Sequence, residues 1–149
     1  MSDESYSYRN LLLWQKAQDL ALEIVRLASK LPNDRTAPIL ARQVVRSASS
    51  IAANIAEGHG RYTLGAHRNH LSIAKGSVCE TDSWLDLLKR AGYLEPKTEE
   101  RLHEACQELI RMLTAKIVGF ERKERSKDKR IREEPEPYLA EALEPLDEL

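Results

Sequence analysis

Two carboxylates of the chain have the type and placement that acid–base catalysis uses. Glu57 and Glu80 lie in two stretches with helical periodicity, so neighbouring helices can bring them face to face. Such a pair acts as acid and base only where a pocket raises the pKa values and separates the two roles. The alternative is structural, since Asn54, nearby serines or an arginine can satisfy both carboxylates. The structural interpretation is favoured, and the sequence predicts no catalytic residue and no enzyme activity.

Metal binding is the second chemistry that the residue types allow. A di-metal centre of the ferritin-like kind needs two Glu-x-x-His motifs and two further glutamates. Only Glu100-Arg-Leu-His103 fits this pattern, and its partner motif is missing. His67 and His70 are three residues apart and form at most a weak pair of ligands; the alternative is one half-buried and one solvated histidine. The sequence therefore predicts neither a metal site nor a cofactor.

Cations at helical spacing are the candidate nucleic-acid-binding residues: Arg42, Arg46, Arg61, Arg68 and Lys75. Arg42 and Arg46 lie one turn apart, and Arg68 and Lys75 share an outward heptad position with Lys89, interrupted by Asp82. Such a row can follow a phosphate backbone, which is the sequence-independent part of nucleic-acid affinity. The alternative is an ordinary solvated helix surface, because residues 1–120 carry a net charge of only +2. Aromatic platforms for stacking single-stranded bases are not evident.

Four amphipathic stretches must position these residues. The apolar periodicity predicts helices over about residues 8–30, 38–57, 64–91 and 96–120. Pro38 and Pro96 fit first turns, and Thr63 is a candidate N-cap. Short connections predict an all-α fold, an up-down-up-down antiparallel four-helix bundle that forms one domain within residues 1–120.

Three glycines are predicted to lie at helix ends, and a fourth lies inside a predicted helix. Gly58 and Gly60 are expected to stop the second helix, and Gly92 the third, because glycine accepts the left-handed conformation of a helix end. Gly76, in the middle of the third predicted helix, costs about 1 kcal/mol relative to alanine. We therefore expect a close helix crossing at Gly76.

The second predicted helix is expected to lie at the centre of the bundle. Its small residues let other helices approach closely: Ala48, Ala52, Ala53 and Ala56. A polar row recurs at steps of three and four beside the core: Gln43, Ser47, Ser50, Asn54 and Glu57. Groups so close to a core need hydrogen-bond partners. Trp14 and Val25 widen the core stripe of the first helix, and a second stripe with Ile73 and Leu87 widens that of the third.

The net charges of successive parts of the chain show that the strongly charged part lies outside the predicted bundle. Residues 121–132 carry a net charge of +4, whereas residues 133–149 carry −7, within a chain of net charge −1. Residues 121–149 form a charged C-terminal extension, first basic and then acidic, which is expected to be partly helical or disordered. No apolar run is long enough for a membrane span, and the first ten residues do not resemble a signal peptide. Cys79 and Cys106 are expected to be reduced core thiols of a cytoplasmic protein.

Three segments of the sequence resemble a known family. WQKA from Trp14 to Ala17, QVVRSASSIAANIAEGHGR from Gln43 to Arg61, and LSIAKGSVCETDSWL from Leu71 to Leu85 are similar to the four-helix-bundle proteins encoded in intervening sequences of bacterial 23S rRNA genes. The resemblance spans about residues 8–120 and implies a homopentamer round a central channel, without enzymatic activity. A related branch, the accessory variability determinants of diversity-generating retroelements, forms pentameric barrels that bind nucleic acid and a reverse transcriptase.

Two functional hypotheses follow. The first is a non-enzymatic, oligomeric scaffold protein associated with RNA or DNA. The alternative is a protein-binding adaptor, such as an accessory partner of a retroelement reverse transcriptase. This bundle is near neutral, whereas the retroelement accessory proteins are strongly basic, and this difference favours the first hypothesis. The wide apolar arc of the third helix agrees with an oligomer because it is more apolar surface than one bundle can bury.

Overall fold

A computed structural model describes residues 7–133 of the chain, and within them it consists of four α-helices with no β-strand. A 3-10 turn at Tyr8–Asn10 precedes α1 (Leu12–Ser29), α2 (Ala37–His59), α3 (Leu64–Arg90) and α4 (Pro96–Glu133). The predicted all-α four-helix fold is confirmed. None of the described helices is both long and apolar enough to cross a membrane.

Ion pairs between helices show that the helices run antiparallel. From one end of the bundle to the other, α3 and α4 are joined by Arg68–Glu124, Asp82–His103 and Lys89–Glu99. From the first of these pairs to the third, the residue number rises along α3 and falls along α4. The pairs Lys16–Glu108 and Glu23–Arg101 relate α1 to α4 in the same way. This pattern, together with the short connections, gives the up-down-up-down order.

Side-chain and backbone caps end the helices largely where the sequence predicts. The Thr63 hydroxyl accepts a hydrogen bond from the Ala66 amide at 3.2 Å, so it caps α3. Gly92 adopts a φ of 81°, and the Tyr93 amide after it donates to the Leu88 carbonyl at 2.9 Å. The α2 cap was not predicted. Asp34 accepts from the Ala37 amide at 2.7 Å, and that bond, with one from the Tyr93 hydroxyl, lowers the pKa of Asp34.

Two glycine predictions are wrong, and a third is right for a different reason. Gly58 does not stop α2 but lies buried in its last turn, whereas Gly60 is the C-cap that ends α2, with an ordinary φ of −79° instead of a left-handed one. Gly76 is exposed, with no atom within 4 Å of the position that a Cβ would take. The close crossing lies at Gly58, where a Cβ would approach the Cβ of His70 to 2.8 Å and the carbonyl oxygen of His67 to 3.2 Å. At this point the absence of a side chain lets α2 and α3 touch.

The core lies where the heptad stripes place it, with exceptions at the bundle surface. Val25, Ile73 and Leu87 are exposed rather than buried. The two cysteines also differ, because Cys106 is fully buried while Cys79 is exposed, so the predicted core thiol at Cys79 is wrong. Burial raises the pKa of the Cys106 thiol to about 12.

The last helix is longer than the bundle. α4 continues without a break past Phe120 to Glu133, so the basic part of the extension is helical. The interpretation of residues 134–149 as disordered or transiently ordered lies outside the described residues, as do residues 1–6.

Candidate nucleic-acid interface

Three members of the polar row of α2, Ser47, Ser50 and Asn54, make side-chain contacts with α3. Thr81 is fully buried and donates a hydrogen bond to the Ser47 hydroxyl at 2.9 Å. One turn further along α2, the hydroxyls of Ser50 and Ser77 lie 3.0 Å apart. Asn54 donates to the Ser50 carbonyl at 2.9 Å, and its amide oxygen lies 3.2 Å from Nδ1 of His70. The expectation that this row needs partners is confirmed, and these side chains join helices rather than bind a ligand.

The two carboxylates considered for acid–base catalysis are each paired with an arginine. Glu80 accepts from Arg46 at 2.7 Å and from the indole of Trp84 at 3.3 Å. Glu57 pairs with Arg61, one turn further along the chain. Because Glu80 lies at the level of Arg46, several turns of α2 separate the two carboxylates. The structure does not bring Glu57 and Glu80 together as an acid and a base.

The five predicted phosphate contacts do not form one row. Arg46, Arg61 and Arg68 are paired with Glu80, Glu57 and Glu124, respectively. Arg42 is exposed near the start of α2, and Lys75 is half-buried. Neither takes part in an ion pair within residues 7–133. Whether these five residues bind phosphate stays a prediction, and three of them would first have to release a carboxylate.

The heptad position shared by Arg68, Lys75, Asp82 and Lys89 faces α4 rather than solvent. Arg68 meets Glu124, Asp82 meets His103 at 2.8 Å and Lys89 meets Glu99 at 3.2 Å. The carboxylate of Glu99 and that of Asp86 hold the pKa of Lys89 above its ordinary value. This row is therefore a ladder of helix contacts, and the expectation that it points outward is wrong.

A different group of cations is exposed together on α4 beyond Phe120. We call it the basic face; it consists of Arg122, Lys123, Lys127 and Arg130. With Ser126 these residues line a shallow surface depression that contains no carboxylate. Lys123 lies 5.8 Å over the ring of Phe120. No ion pair within residues 7–133 involves the other three cations.

The acidic residues of this segment lie on the opposite side of the helix. Glu121, Glu124 and Asp128 follow Ile117 at steps of four, three and four, so they continue the row that faces the bundle. Glu124 accordingly meets Arg68 of α3. The spacing was visible in the sequence, but only the continuous helix of the structure turns it into a face of one charge. The net charge of this segment was recognised from its composition, whereas the separation of charge between two sides of the helix was not.

Histidines cluster where α2 ends and α3 begins. The ring of His67 packs against Phe120 with centroids 4.6 Å apart and meets His59 edge-on at 6.2 Å. Nε2 of His67 is buried and has no hydrogen-bond partner among the described residues. Burial, followed by the charge of Lys116, lowers the pKa of His67. His70 is occupied by Asn54 and Arg61, so the two histidines do not form a ligand pair.

Metal coordination has no assembled donor set in the part of the chain that the structure describes. No group of three or more His, Cys, Asp or Glu side chains within residues 7–133 is arranged to hold an ion. His103, from the single Glu-x-x-His motif, instead bonds to Asp82. This contact raises the pKa of His103.

Comparison with known proteins agrees with the fold and with the residue pattern. Residues 9–115 match the model of the family described as 23S rRNA-intervening sequence protein. A crystal structure of a protein of unknown function from the S23 ribosomal protein family of Bacteroides thetaiotaomicron is similar, with a TM-score of 0.68 and 30% sequence identity. The similarity covers 71% of this chain and 98% of that one. None of the curated proteins compared with the chain matches it.

The match includes the parts of the chain that build the bundle. It contains the polar row of α2, its partners on α3 and the close crossing at Gly58, and it ends before the basic face begins. The relation to retroelement accessory proteins stays a prediction. By residue pattern, fold and family match, this chain belongs to the 23S rRNA-intervening sequence protein family.

Proposed function

We propose that this chain is a non-enzymatic, oligomeric scaffold protein that associates with nucleic acid through the basic face of α4. The observation that carries the proposal is the separation of charge on α4, which leaves only cations on one exposed side of a helix. Unpaired, exposed cations release counterions when they meet phosphates, and this release drives sequence-independent binding. The family description refers to 23S rRNA, so RNA is the polyanion to test first.

Other cations contribute less in this proposal. Arg42 and Lys75 can meet phosphates without losing an ion pair. Arg46, Arg61 and Arg68 would have to exchange a carboxylate for a phosphate, which reduces the net gain. Glu57 and Glu80, the two carboxylates considered as an acid–base pair, are each paired with an arginine, which supports a non-enzymatic role.

Filter binding of a short RNA duplex tests the basic face. Four cations that neutralise four phosphates predict a slope of about −3.6 in the logarithm of affinity against the logarithm of salt concentration. In the full-length chain, Arg122→Gln/Lys127→Gln/Arg130→Gln should reduce this slope by about 3 and weaken binding more than ~10-fold at low salt. These exposed substitutions leave the core untouched.

The matched control removes two cations of the predicted row instead. Arg42→Gln/Arg46→Gln should change the slope by less than about 1, because neither residue belongs to the basic face and only Arg42 lacks a carboxylate partner. If the control variant loses affinity and the α4 variant does not, the contact lies on α2 and the basic face is not the site. Failure of the unaltered protein to bind at low salt would remove the proposal.

An oligomer is the second part of the proposal, and the outer side of α2 and α3 supports it. Ile73 and Leu87 are 45% and 42% exposed on α3, and Ile39 is 59% exposed on α2. The antiparallel register set by Ser50 and Ser77 places Ile39 at the level of Leu87. These apolar side chains lie along one side of the helix pair, which suits a second copy of the chain. The pentamer rests on the family resemblance alone.

Light scattering after size-exclusion chromatography tests the oligomer. The mass should be a multiple of the 17.0 kDa chain. Ile73→Glu/Leu87→Glu should reduce it to that of one chain because two charges would be buried at the interface. Val25→Glu is the control, since Val25 is 47% exposed on α1, away from this surface. A monomeric mass for the unaltered protein would contradict the assembly.

A further inference from the structure

We propose that residues 134–149, here called the acidic tail, bind the basic face of the same chain and compete there with nucleic acid. Because competition presupposes that the basic face binds polyanions, this regulatory role rests on the proposed function. The contact between tail and face does not, and it can be measured without nucleic acid.

Charge complementarity identifies the occupant. The acidic tail contains six Asp and Glu residues and no Lys or Arg. The basic face presents four cations in a depression without a carboxylate, and its three flanking acids face the bundle or lie beside it. Several arginines of the bundle are already paired with carboxylates, as Arg46, Arg61 and Arg101 show. The basic face and the excess carboxylates of the chain lie next to each other in sequence.

The acidic tail is also long enough to reach the basic face. Arg122 is eleven residues before Glu133, the last residue of α4, which is about 17 Å along a helix at 1.5 Å per residue. A chain of sixteen residues can span roughly 50 Å when extended. The tail is thus long enough to return along the whole basic face from the end of α4. Tethering to that end gives it an effective concentration on the order of 1 mM at the face.

This tether determines the expected size of the effect. A free tail peptide that binds with a dissociation constant of about 0.1 mM would, when tethered, weaken nucleic-acid binding roughly 10-fold. The contact is electrostatic and exposed, so screening should abolish it as the Debye length falls from about 10 Å at 0.1 M salt to about 3 Å at 1 M.

The first experiment compares two full-length proteins in the RNA filter-binding assay. The neutral-tail variant replaces each tail acid by its amide: Glu134→Gln, Glu136→Gln, Glu141→Gln, Glu144→Gln, Asp147→Asn and Glu148→Gln. We expect it to bind RNA about 10-fold more tightly than the unaltered chain at low salt. The control Leu139→Ser/Leu143→Ser/Leu146→Ser keeps every charge and should not change the affinity. Equal affinity of the neutral-tail and unaltered proteins would overturn the competition.

The second experiment measures the contact directly, by fluorescence anisotropy of a labelled peptide of residues 134–149. The peptide should bind the neutral-tail protein, and Arg122→Gln/Lys127→Gln/Arg130→Gln in that protein should remove the binding. No binding, or binding that the triple substitution leaves unchanged, would refute the tail contact even if RNA binds the basic face. The opposite result, peptide binding without any RNA binding, would preserve the contact and remove the proposed function.

Discussion

Gly58→Ala is expected to lower the free energy of unfolding by about 2 kcal/mol, the usual cost of forcing a methyl group into a packed contact. The added Cβ would lie 2.8 Å from the Cβ of His70 and 3.2 Å from the carbonyl oxygen of His67. Neither atom is the end of a flexible side chain, so α2 and α3 must move apart to admit it. The backbone of Gly58 lies in a regular α-helix, so the cost is steric and not conformational. Urea denaturation followed by circular dichroism measures it.

Gly76→Ala is the matched control and should have the opposite sign. Gly76 lies inside α3 with open space around its Cα, so alanine should raise the free energy of unfolding by up to ~1 kcal/mol. The two variants add the same methyl group to the same helix pair. Destabilisation by both, or by neither, would show that the crossing is not at Gly58.

Stability is expected to fall as the pH is lowered through 6.5, and His67 should account for this fall. Its pKa lies below the ordinary value of 6.5, because the ring is buried between α2, α3 and Phe120 near Lys116. Just below pH 6.5 the unfolded chain therefore binds a proton that the folded chain does not. Unfolding takes up protons in this range, so stability is complete above pH 6.5 and decreases until the lowered pKa of the folded state is reached.

His67→Phe should reduce this pH dependence and stabilise the protein at every pH. The phenyl ring keeps the contact with Phe120 and removes a buried nitrogen without a partner, a group that costs about 1 kcal/mol or more. The gain should be larger at pH 5 than at pH 7.5, as measured by urea denaturation at each pH. If the larger ring overfills the site, His67→Leu gives the same comparison. A pH dependence unchanged in both variants would assign it to another group.

His103 provides the control of opposite sign. Asp82 raises the pKa of His103, so the folded chain holds its proton more tightly than the unfolded chain does. This contribution is complete below pH 6.5 and is lost as the pH rises through the raised pKa. His103→Gln should therefore remove the gain in stability that appears as the pH is lowered towards 6.5, and leave the slope below pH 6.5 unchanged. The two histidines act on opposite sides of pH 6.5, and the paired variants separate them.

Much of the fold follows from local pattern. Heptad spacing located four helices within a few residues of their observed bounds, except that α4 continues to Glu133, well past its predicted end near Phe120. Thr63 and Gly92 act as caps because their roles depend only on neighbouring residues. The polar row of α2 was recognisable for a similar reason. Residues at steps of three and four lie on one side of any helix, so Ser47 beside a core had to find a partner such as Thr81.

The candidate site depended on contacts between distant parts of the chain. Arg46 and Arg68 have the same local signal as Arg122, an arginine on an amphipathic helix. They differ because Glu80 lies beside Arg46 and Glu124 beside Arg68 in the assembled bundle, whereas no carboxylate within residues 7–133 is paired with Arg122. Net charge along the sequence cannot distinguish these cases, because it contains no information about which residues of another helix are at the same level.

The sequence by itself determined the helices, their order, most of the core and the presence of a charged extension, since these depend on composition and on the 3.6-residue period. Only the tertiary structure decided that Gly58 rather than Gly76 marks the crossing, and that the group of exposed, unpaired cations lies on α4 while most cations of the predicted row are paired. Both decisions depend on the register in which one helix packs against another. That register is set by the summed packing of many side chains, and no single segment encodes it.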